Sequence, residues 1–486
     1  MVGDSVKVKY GEASGWWVIG TTTLGSGIAF LDSSVVNVAL PTIGKNLHTG
    51  IAGLQWTLDG YLLMLGSLIL TSGSLGDLYG RRRMFVTGLG IFTVASLLCG
   101  IAPNIATLII ARALQGVGGA LLVPQSLAII GAVFEGKDQT KAVAMWSGLA
   151  GVTTLFGPAL GGWLVGFSWR WIFFINLPLA AIAIFLAMTK VPESKDPESG
   201  HRLDIPGSIA AAAGLGALVY MLIEGPGKGF TSPSILSAGI IGVIFLIAFV
   251  VIERRLKEPM IPRGIFRSKQ FTGANLTTAL VYAGLYGVSL LVTLQLQVRL
   301  HYSPLTSGFA TTPITVLLLV LSPYAGRISM RFGPRLPMTI GPIVIGIGNI
   351  MMGGIRPGDH YLSGVLPSLI VFGLGLSLMV APLTAAMLAA VETRHMGVGS
   401  AINNAVARVG GLLAIALLPA LVGVRSGVAP TNSQYGRALL IAGAWALAGG
   451  AIAFLTIRTA APPEPEKKSE PQVEAPAASL DSDRLL

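Results

Sequence analysis

Charged side chains are scarce in this sequence. They make up 11% of its 486 residues, whereas 52% of the residues are hydrophobic. A soluble protein carries about a quarter charged residues, so this shortage excludes an ordinary soluble fold. The mean hydropathy of +0.73 leads to the same conclusion and predicts a protein that is embedded in lipid.

Cysteine is almost absent, and the motifs of nucleotide binding are missing. Cys99 is the single cysteine, so no intramolecular disulfide can form, and its apolar surroundings predict a small buried side chain. The Gly-Lys pairs continue as GKN, GKD and GKG, without the Ser or Thr that a phosphate-binding loop requires. Zinc-ligand spacing, a nucleophile elbow and paired catalytic carboxylates are also missing. We therefore expect neither an ATP-driven pump nor an enzyme, and no cofactor or metal.

The hydrophobic residues form blocks of about twenty, the length of a helix that crosses ~30 Å of hydrocarbon at ~1.5 Å per residue. A membrane span must satisfy its own backbone hydrogen bonds, and the weak alternating pattern of an outer-membrane barrel is missing, so we expect helices. The sequence predicts fourteen spans, at residues 16–40, 56–76, 84–102, 105–130, 141–166, 170–189, 205–224, 233–252, 272–297, 308–326, 337–354, 364–385, 398–421 and 438–458.

Lysine and arginine are distributed unequally between the predicted loops. With residue 1 placed in the cytoplasm, eighteen of them lie in cytoplasmic loops and seven in outer loops, which fits the positive-inside rule. We therefore expect a multi-pass protein of the cell membrane with both termini in the cytoplasm. The net charge of +11 is then a signature of topology and anionic lipid, and nucleic acid is not an expected partner.

A short basic segment occurs twice. GSLGDLYGRRR begins at Gly73, and GRISMRFGPRL begins at Gly326, 253 residues later, with Met330 at the position of Asp77. Parallel repeats of this kind are typical of two membrane halves related by an axis along the membrane normal. Six predicted spans precede residue 190 and six follow residue 270, so the remaining two form an insertion between the halves.

These boundaries predict five regions. They are a cytoplasmic N-terminus at 1–15, an N-terminal bundle at 16–189, the inserted pair with a cytoplasmic linker at 190–270, a C-terminal bundle at 271–460 and a cytoplasmic tail at 461–486. The tail is rich in Pro, Glu, Ala and Ser, which predicts disorder. We expect the protein to be a monomer in the bilayer.

Several motifs resemble signatures of the major facilitator superfamily. GSLGDLYGRRR is similar to its signature between the second and third spans, and LIIARALQGVGGA, from Leu108, to that of the fourth span. GLAGVTTLFGPALGG, from Gly148, resembles the fifth-span signature of its antiporters, and LDSSVVNVALP, from Leu31, resembles the drug:proton antiporter-2 branch with fourteen spans. The resemblance implies an all-α integral membrane fold of two six-helix bundles plus two inserted helices. It also implies efflux of drugs or quaternary ammonium compounds.

The resemblance further assigns roles to residues. It implies a conformational latch between the halves at the cytoplasmic face, against the start of the span at 398, formed by Gly73, Asp77, Gly80 and Arg81. The antiporter motif corresponds to Gly148, Gly157, Pro158, Gly161 and Gly162. From the residues alone, the arginines at 81–83 are equally well explained as topology anchors, and a kinked glycine-rich helix is common in membranes without any coupling role.

Ionisable side chains inside predicted spans are costly and usually mark a functional route. Asp32 and Arg112 lie at similar depths, roughly 10–13 Å below the outer surface at ~1.5 Å per residue, which makes them candidate partners. An acid beside an arginine stays ionised until a proton or a substrate competes for it, so we interpret the pair as a proton-coupling site. The alternative is a static ion pair that fixes packing. Asp59 is a further candidate, for proton uptake or first contact with a cationic substrate, unless it is simply hydrated.

Arg408 lies near the middle of the predicted thirteenth span, without an acid at its depth in the second half. It is a candidate for binding an anionic substrate group, for pairing with an acid across the cavity, or for donating to carbonyl groups. The other candidates for the substrate cavity are Asn37, Tyr61, Gln115, Asn403 and Asn404. The spans at 308–326, 364–385 and 398–421 contain no acid, so a dicationic substrate is not expected.

Together these observations predict a proton-coupled antiporter that exports small amphiphilic compounds by alternating access, with protons, its substrates and the bilayer as partners. One alternative is a dedicated exporter of an endogenous metabolite, peptide or lipid on the same fold. The other is a membrane sensor that does not transport.

Overall fold

The computed structural model describes residues 8–195, 203–256, 259–262, 264–391, 396–424 and 429–458. In these ranges the chain forms α-helices with a few short 3-10 and π-helical turns. The first seven residues and the tail at 461–486 lie outside the described residues.

The helices follow one another with short connections. Their bounds are α1 (Ala13–Asn46), α2 (Ile51–Tyr79), α3 (Arg81–Gly100), α4 (Ile105–Val133), α5 (Gly136–Phe167), α6 (Trp171–Phe174), α7 (Asn176–Lys190), α8 (Ile205–Lys228), α9 (Pro233–Arg255), α10 (Lys269–Leu294), α11 (Pro304–Phe332), α12 (Arg335–Met352), α13 (Leu366–Leu388), α14 (Met396–Leu421) and α15 (Asn432–Thr456). The short α6 and α7 are consecutive and form one segment, and a π-helical turn extends α10 to Arg299.

Thirteen of the described segments are long and apolar enough to cross a membrane. The 32-residue α5 is not among them, because its apolar stretch Phe156–Phe167 is shorter, although the helix packs against α1 and α11, which are. The prediction of an all-α fold with about fourteen membrane helices is therefore confirmed. The observed helices extend beyond the predicted spans; for example, α1 continues through Pro41 to Asn46. Hydropathy marks only the part of a helix that suits lipid, so it misses polar ends.

The helices of each half form a bundle, and the repeat seen in the sequence is present in the packing. In the first bundle α3 packs on α4, and in the second α12 packs on α13. Gly88 faces the Gly118 backbone in the first of these contacts, and Gly341 faces the Gly375 backbone in the second. Gly88 and Gly341 are 253 residues apart, the same offset as the two basic segments.

Both basic segments contain a tight turn with a glycine in the left-handed region. Gly80 joins α2 to α3 with a φ of 106°, and Gly333 joins α11 to α12 with a φ of 79°. Residues with a side chain rarely adopt such angles, so glycine is required at both turns. We call the end of the molecule with these turns the basic face and the other end the opposite face.

The two ends of the described chain both lie at the basic face. The Val8 N–H donates to the carbonyl of Val133, at the end of α4. The Arg335 Nε, beside the Gly333 turn, donates to the carbonyl of Phe454 in the last turn of α15. The fold therefore crosses the membrane an even number of times between these points.

The halves meet mainly through α2 against α14 and α5 against α11. At the opposite face, the Gln55 Nε2 donates to the Ile415 carbonyl at 2.6 Å, and the Gln297 Nε2 donates to the Val38 carbonyl at 2.8 Å. Gly162 of α5 lies so close to α11 that a Cβ there would be 2.5 Å from the Pro304 oxygen. The halves are thus joined at the opposite face.

At the basic face a cavity of about 700 Å³ separates the halves. Its walls are the ends of α2 and α4, the first turns of α14, and part of the segment at 259–262 that follows α9. The molecule is therefore closed at one face and hollow at the other.

The inserted helices α8 and α9 pack against each other, and α8 also packs on α2 and contacts α14. Near the opposite face, the Trp56 Nε1 of α2 donates to the Glu224 carboxylate of α8 at 3.2 Å. Near the basic face, the hydroxyls of Thr71 and Ser208 hydrogen bond. These contacts attach α8 to the first bundle along the seam between the halves.

The α3–α4 contact predicts a position-specific effect of one methyl group. A Cβ at Gly118 would lie 2.6 Å from the Phe92 backbone nitrogen, whereas a Cβ at Gly90 of α3 meets nothing within 4 Å. We expect Gly118→Ala to lower the thermal unfolding midpoint of the purified protein, because overpacking of this kind costs about 1–3 kcal/mol. The matched control Gly90→Ala keeps or raises the midpoint through its better helix propensity. Equal midpoints for the two variants would contradict this packing.

Candidate functional site

The structure brings Asp32 and Arg112 together inside the first bundle. The Arg112 Nη1 lies 2.5 Å from the Asp32 Oδ2, and the two side chains are 1% and 0% exposed. The Arg112 Nε also donates to the Thr57 carbonyl of α2 at 3.1 Å. A charged pair so fully withdrawn from water needs further hydrogen bonds to offset its desolvation.

Those hydrogen bonds come from a network of uncharged polar side chains. The Gln115 Nε2 donates to the Asp32 Oδ1 at 2.9 Å and to the Ser96 hydroxyl at 2.8 Å. The Asn176 Nδ2 donates to the same Asp32 oxygen at 3.2 Å. Both carboxylate oxygens are therefore hydrogen-bonded, and the network connects α1, α3, α4 and α7.

Aromatic rings cover the guanidinium. The Tyr61 ring centroid lies 4.4 Å from the Arg112 Cζ, and that of Phe173 lies 5.9 Å from it, which are cation–π distances. Tyr61 and Gln115, which we predicted in the substrate cavity, thus belong to the surroundings of the ion pair in this conformation. The Tyr61 ring covers the guanidinium, and the Gln115 amide hydrogen bonds to both members of the pair.

Sequence reasoning missed two members of this network. Asn176 is the polar residue within the apolar run WIFFINLPLAAIAIFLAM, and that isolation is a signal that could have identified it. Ser96 has no such signal, because serines are common in membrane helices and often bond to their own backbone. The predicted burial of Cys99 is observed, with its Sγ 3.7 Å from the Gln115 Oε1.

Asp59 lies on α2, one turn after Gln55, which contacts α14. Its side chain is 0% exposed, and neither carboxylate oxygen has a hydrogen-bond partner in the described part of the chain. In this conformation the Asp59 side chain is therefore buried, away from the surface of the protein. A carboxyl in such a place is costly when charged.

Three of the four predicted latch residues, Gly73, Asp77 and Arg81, lie at the cavity rim. Asp77 accepts hydrogen bonds from the Arg81 Nε at 3.0 Å and Nη2 at 2.8 Å, and the Arg81 Nη1 donates to the Ala128 carbonyl at 3.3 Å. Gly73, Asp77 and Arg81 line the cavity together with the first turns of α14, including Gly397. In this conformation the Asp77 carboxylate bonds to Arg81, across the Gly80 turn, and α14 forms the facing wall.

A carboxylate that the sequence did not reveal holds the latch turn. Glu193 follows α7 and accepts hydrogen bonds from the backbone N–H groups of Arg82 at 3.0 Å and Arg83 at 3.1 Å. An anion at a helix N-terminus is favourable, so Glu193 caps α3 from a distant part of the chain. The separation of 110 residues leaves no local pattern from which this contact could be predicted.

Three of the four glycines of the predicted antiporter motif are sites of close helix contact. Gly157 and Gly161 face Ser34 and Val35 of α1, and Gly162 faces Pro304 at the start of α11. The Pro158 carbonyl lies against Gly308 of α11. A Cβ at Gly148 would meet nothing within 4 Å. The motif therefore places α5 tightly between α1 and α11, where the halves are joined.

The remaining candidates occupy different environments. Asn404 lines the cavity. Arg408 donates to the Tyr286 hydroxyl and forms no ion pair within the described residues. Asn403 donates to Asn275 and Thr278 of α10, and Asn37 donates to the Ser33 carbonyl. Asn403 therefore ties α14 to α10, and of the six predicted cavity residues Asn404 is the one on the wall of this cavity.

Comparison with known proteins identifies relatives over most of the chain. The chain is 36% identical over 400 residues to the multidrug resistance protein Stp of Mycobacterium tuberculosis. That alignment covers 82% of this chain and 74% of Stp. It is 34% identical over 408 residues to the puromycin resistance protein pur8 of Streptomyces alboniger, covering 83% and 81%. It is 33% identical over 436 residues to the methylenomycin A resistance protein of Streptomyces coelicolor, covering 88% and 91%.

Solved structures agree in fold. A POT family transporter in complex with a thioalcohol-conjugated peptide superposes with a TM-score of 0.70 over 93% of this chain and 98% of that one, at 14% identity. Residues 22–415 and 274–485 match the family model described as the Major Facilitator Superfamily. The chain therefore belongs to the major facilitator superfamily and is a multi-pass membrane transporter, not an enzyme.

Proposed function

We propose that this protein is a proton-coupled antiporter that exports amphiphilic small molecules, antibiotics among them, across the cell membrane. Relatives named for resistance to multiple drugs, puromycin and methylenomycin A support the export of such compounds. The observation that carries proton coupling is the Asp32–Arg112 pair, an ion pair that is withdrawn from water inside a transporter bundle.

The network explains how binding of one proton can change the helix packing of the first bundle. Protonation of Asp32 removes its charge, so Arg112 loses its counter-ion, and Gln115 and Asn176 lose a charged acceptor. A guanidinium left alone in a low-dielectric site must find another partner or reach water. Because these side chains come from α1, α4 and α7, such a change alters how the helices of the first bundle pack.

Alternating access then consists of rocking the bundles at 16–189 and 271–460 against each other, with the inserted pair at 190–270 moving with the first. The conformation described above is one end of this cycle, with the cavity at the basic face, which the positive-inside rule assigns to the cytoplasm. In the other end state, the Gly162–Pro304 contact opens and the Asp77–Arg81 latch meets the start of α14.

The cavity is suited to neutral or monocationic amphiphiles. Its wall combines apolar side chains such as Val123 and Leu127 with the polar Asn404 and the acid Asp77. Apolar surface gives affinity without strict shape requirements, which is the basis of broad specificity. Arg408, deeper in α14, offers a donor for carbonyl or anionic groups of the substrate.

The coupling assignment is tested by replacing the acid. We expect Asp32→Asn to abolish efflux of a fluorescent dye driven by a pH gradient from proteoliposomes, to the level of protein-free vesicles. The same variant should retain exchange of dye between the two sides at equal pH, because exchange needs no proton. The control Asp138→Asn, at a partly exposed ion pair with Lys141 far from Asp32, should leave both activities unchanged. Normal gradient-driven efflux in Asp32→Asn would show that the coupling assignment is wrong.

The orientation is tested with introduced cysteines, since the native Cys99 is buried. Thr231, between α8 and α9, is exposed at the opposite face, and Lys195 is exposed beside the latch turn. In intact cells we expect an impermeant thiol reagent to label Thr231→Cys and to spare Lys195→Cys until the membrane is permeabilised. The reverse order of labelling would place the basic face outside.

A further inference from the structure

Two acids lie where the inserted helices meet at the basic face, outside the network of Asp32. Asp204 precedes the first turn of α8, and Glu253 lies in the last turn of α9. Their side chains are 4% and 8% exposed, so both are more than nine-tenths buried. Two carboxylates at this depth are costly unless something compensates their charge.

Each acid has one satisfied oxygen and one without a donor. The Asp204 Oδ1 accepts a hydrogen bond from the Gly207 N–H at 2.7 Å, and the Glu253 Oε2 accepts one from the Ile261 N–H at 3.2 Å. The Asp204 Oδ2 and the Glu253 Oε1 are buried and have no partner among the described residues. The two acids meet at the same segment: the Ser208 hydroxyl donates to the Asp204 carbonyl at 2.9 Å and lies 4.0 Å from the Sδ of Met260, the neighbour of Ile261. The Asp204 carboxyl is accordingly one of the groups that act on Glu253. A single hydrogen between them would satisfy both remaining oxygens.

We propose that Asp204 and Glu253 form a second proton-binding site, in which one proton is shared between the two carboxyl groups. Two adjacent carboxylates cannot both remain ionised at low cost, whereas an acid donating to a carboxylate forms a strong hydrogen bond.

The helix ends decide which oxygen carries the hydrogen. Asp204 lies at the positive N-terminal end of α8, and Glu253 lies at the negative C-terminal end of α9. The Glu253 hydroxyl is therefore the donor and the Asp204 carboxylate is the acceptor. Among the described residues, Thr71 of α2 and the backbone of Met260 and Ile261 lie around the pair, and the basic Arg254 and Arg255 follow Glu253 on α9.

The site is connected to the cavity wall through the segment at 259–262. Glu253 holds the Ile261 backbone, and the neighbouring Met260 Sδ accepts a hydrogen bond from the Thr71 hydroxyl at 3.4 Å. Met260 lines the cavity. When the shared proton leaves, the two carboxylates repel each other and Glu253 moves away from Asp204. The Ile261 N–H, which bonds more strongly to a charged carboxylate, moves with it. The proton therefore fixes one wall of the cavity.

Infrared spectroscopy of the full chain in lipid tests the site without any transport measurement, so its outcome is independent of the proposed antiport. We expect a carboxylic acid C=O band near neutral pH that shifts in D₂O and is missing in Glu253→Gln. In Asp204→Asn this band should titrate at lower pH, because the neighbouring negative charge is gone. The control Glu224→Gln, at an acid paired with Lys228, should keep the band. A Glu253→Gln spectrum identical to that of the unchanged protein overturns the proposal. So does loss of the band on adding Mg²⁺ or Ca²⁺ at constant pH, which identifies a cation site.

A thiol probe tests the link to the cavity wall. The labelling rate of Met260→Cys reports how accessible the segment at 259–262 is. Ala401→Cys, on the α14 wall of the same cavity, is the reference, because its labelling rate rises with pH only through the ordinary ionisation of a thiol. We divide the labelling rate of Met260→Cys by that of Ala401→Cys. From about pH 6 to about pH 8 we expect this ratio to rise several-fold. With Glu253→Gln added, the ratio should stay constant, since the amide cannot lose a proton. A ratio that does not change with pH, or that changes equally with Glu253→Gln, contradicts the proposed link.

Discussion

The ion pair between Asp32 and Arg112 is the interaction on which the first bundle depends. Both side chains are withdrawn from water, and the charge of each is balanced by the other and by the amides of Gln115 on α4 and Asn176 on α7. Removing one partner from such a pair typically costs about 3–5 kcal/mol, because the other charge is left without compensation. The helix arrangement of this bundle is therefore tied to the charge of one carboxyl group, which is the property that coupling to a proton requires.

The second constraint is close contact between helices through glycine. Gly161 and Gly162 bring α5 against α1 and α11, and the Gln55 amide joins α2 to the backbone of α14. These contacts lie at the opposite face, so the halves separate at the basic face. In a membrane such contacts are maintained by van der Waals packing and a few hydrogen bonds, and not by water exclusion. They can therefore open without exposing a hydrophobic core to water.

Much of the architecture could be predicted because the membrane imposes it. Span number follows from the length of apolar blocks, and the turns at Gly80 and Gly333 follow from a repeated glycine pattern. Asp32 and Arg112 could be matched because helix geometry converts sequence position into depth. Depth does not give the direction of a side chain around its helix. For that reason Tyr61 and Gln115 were expected at a cavity, although they surround the ion pair.

Contacts between distant segments could not be predicted in this way. Glu193 caps α3, and α8 attaches to α2 through Glu224 and Ser208, with no periodic pattern to reveal either contact.

The central claim is that Asp32 gains or loses a proton as the transporter works. Its most direct test is to add a transported compound to the purified protein in weakly buffered solution and to follow the pH. At an acidic starting pH, at which Asp32 carries a proton in part of the protein, we predict release of protons in proportion to that part, and no release from Asp32→Asn that still binds the compound. Equal release from both proteins would contradict the account.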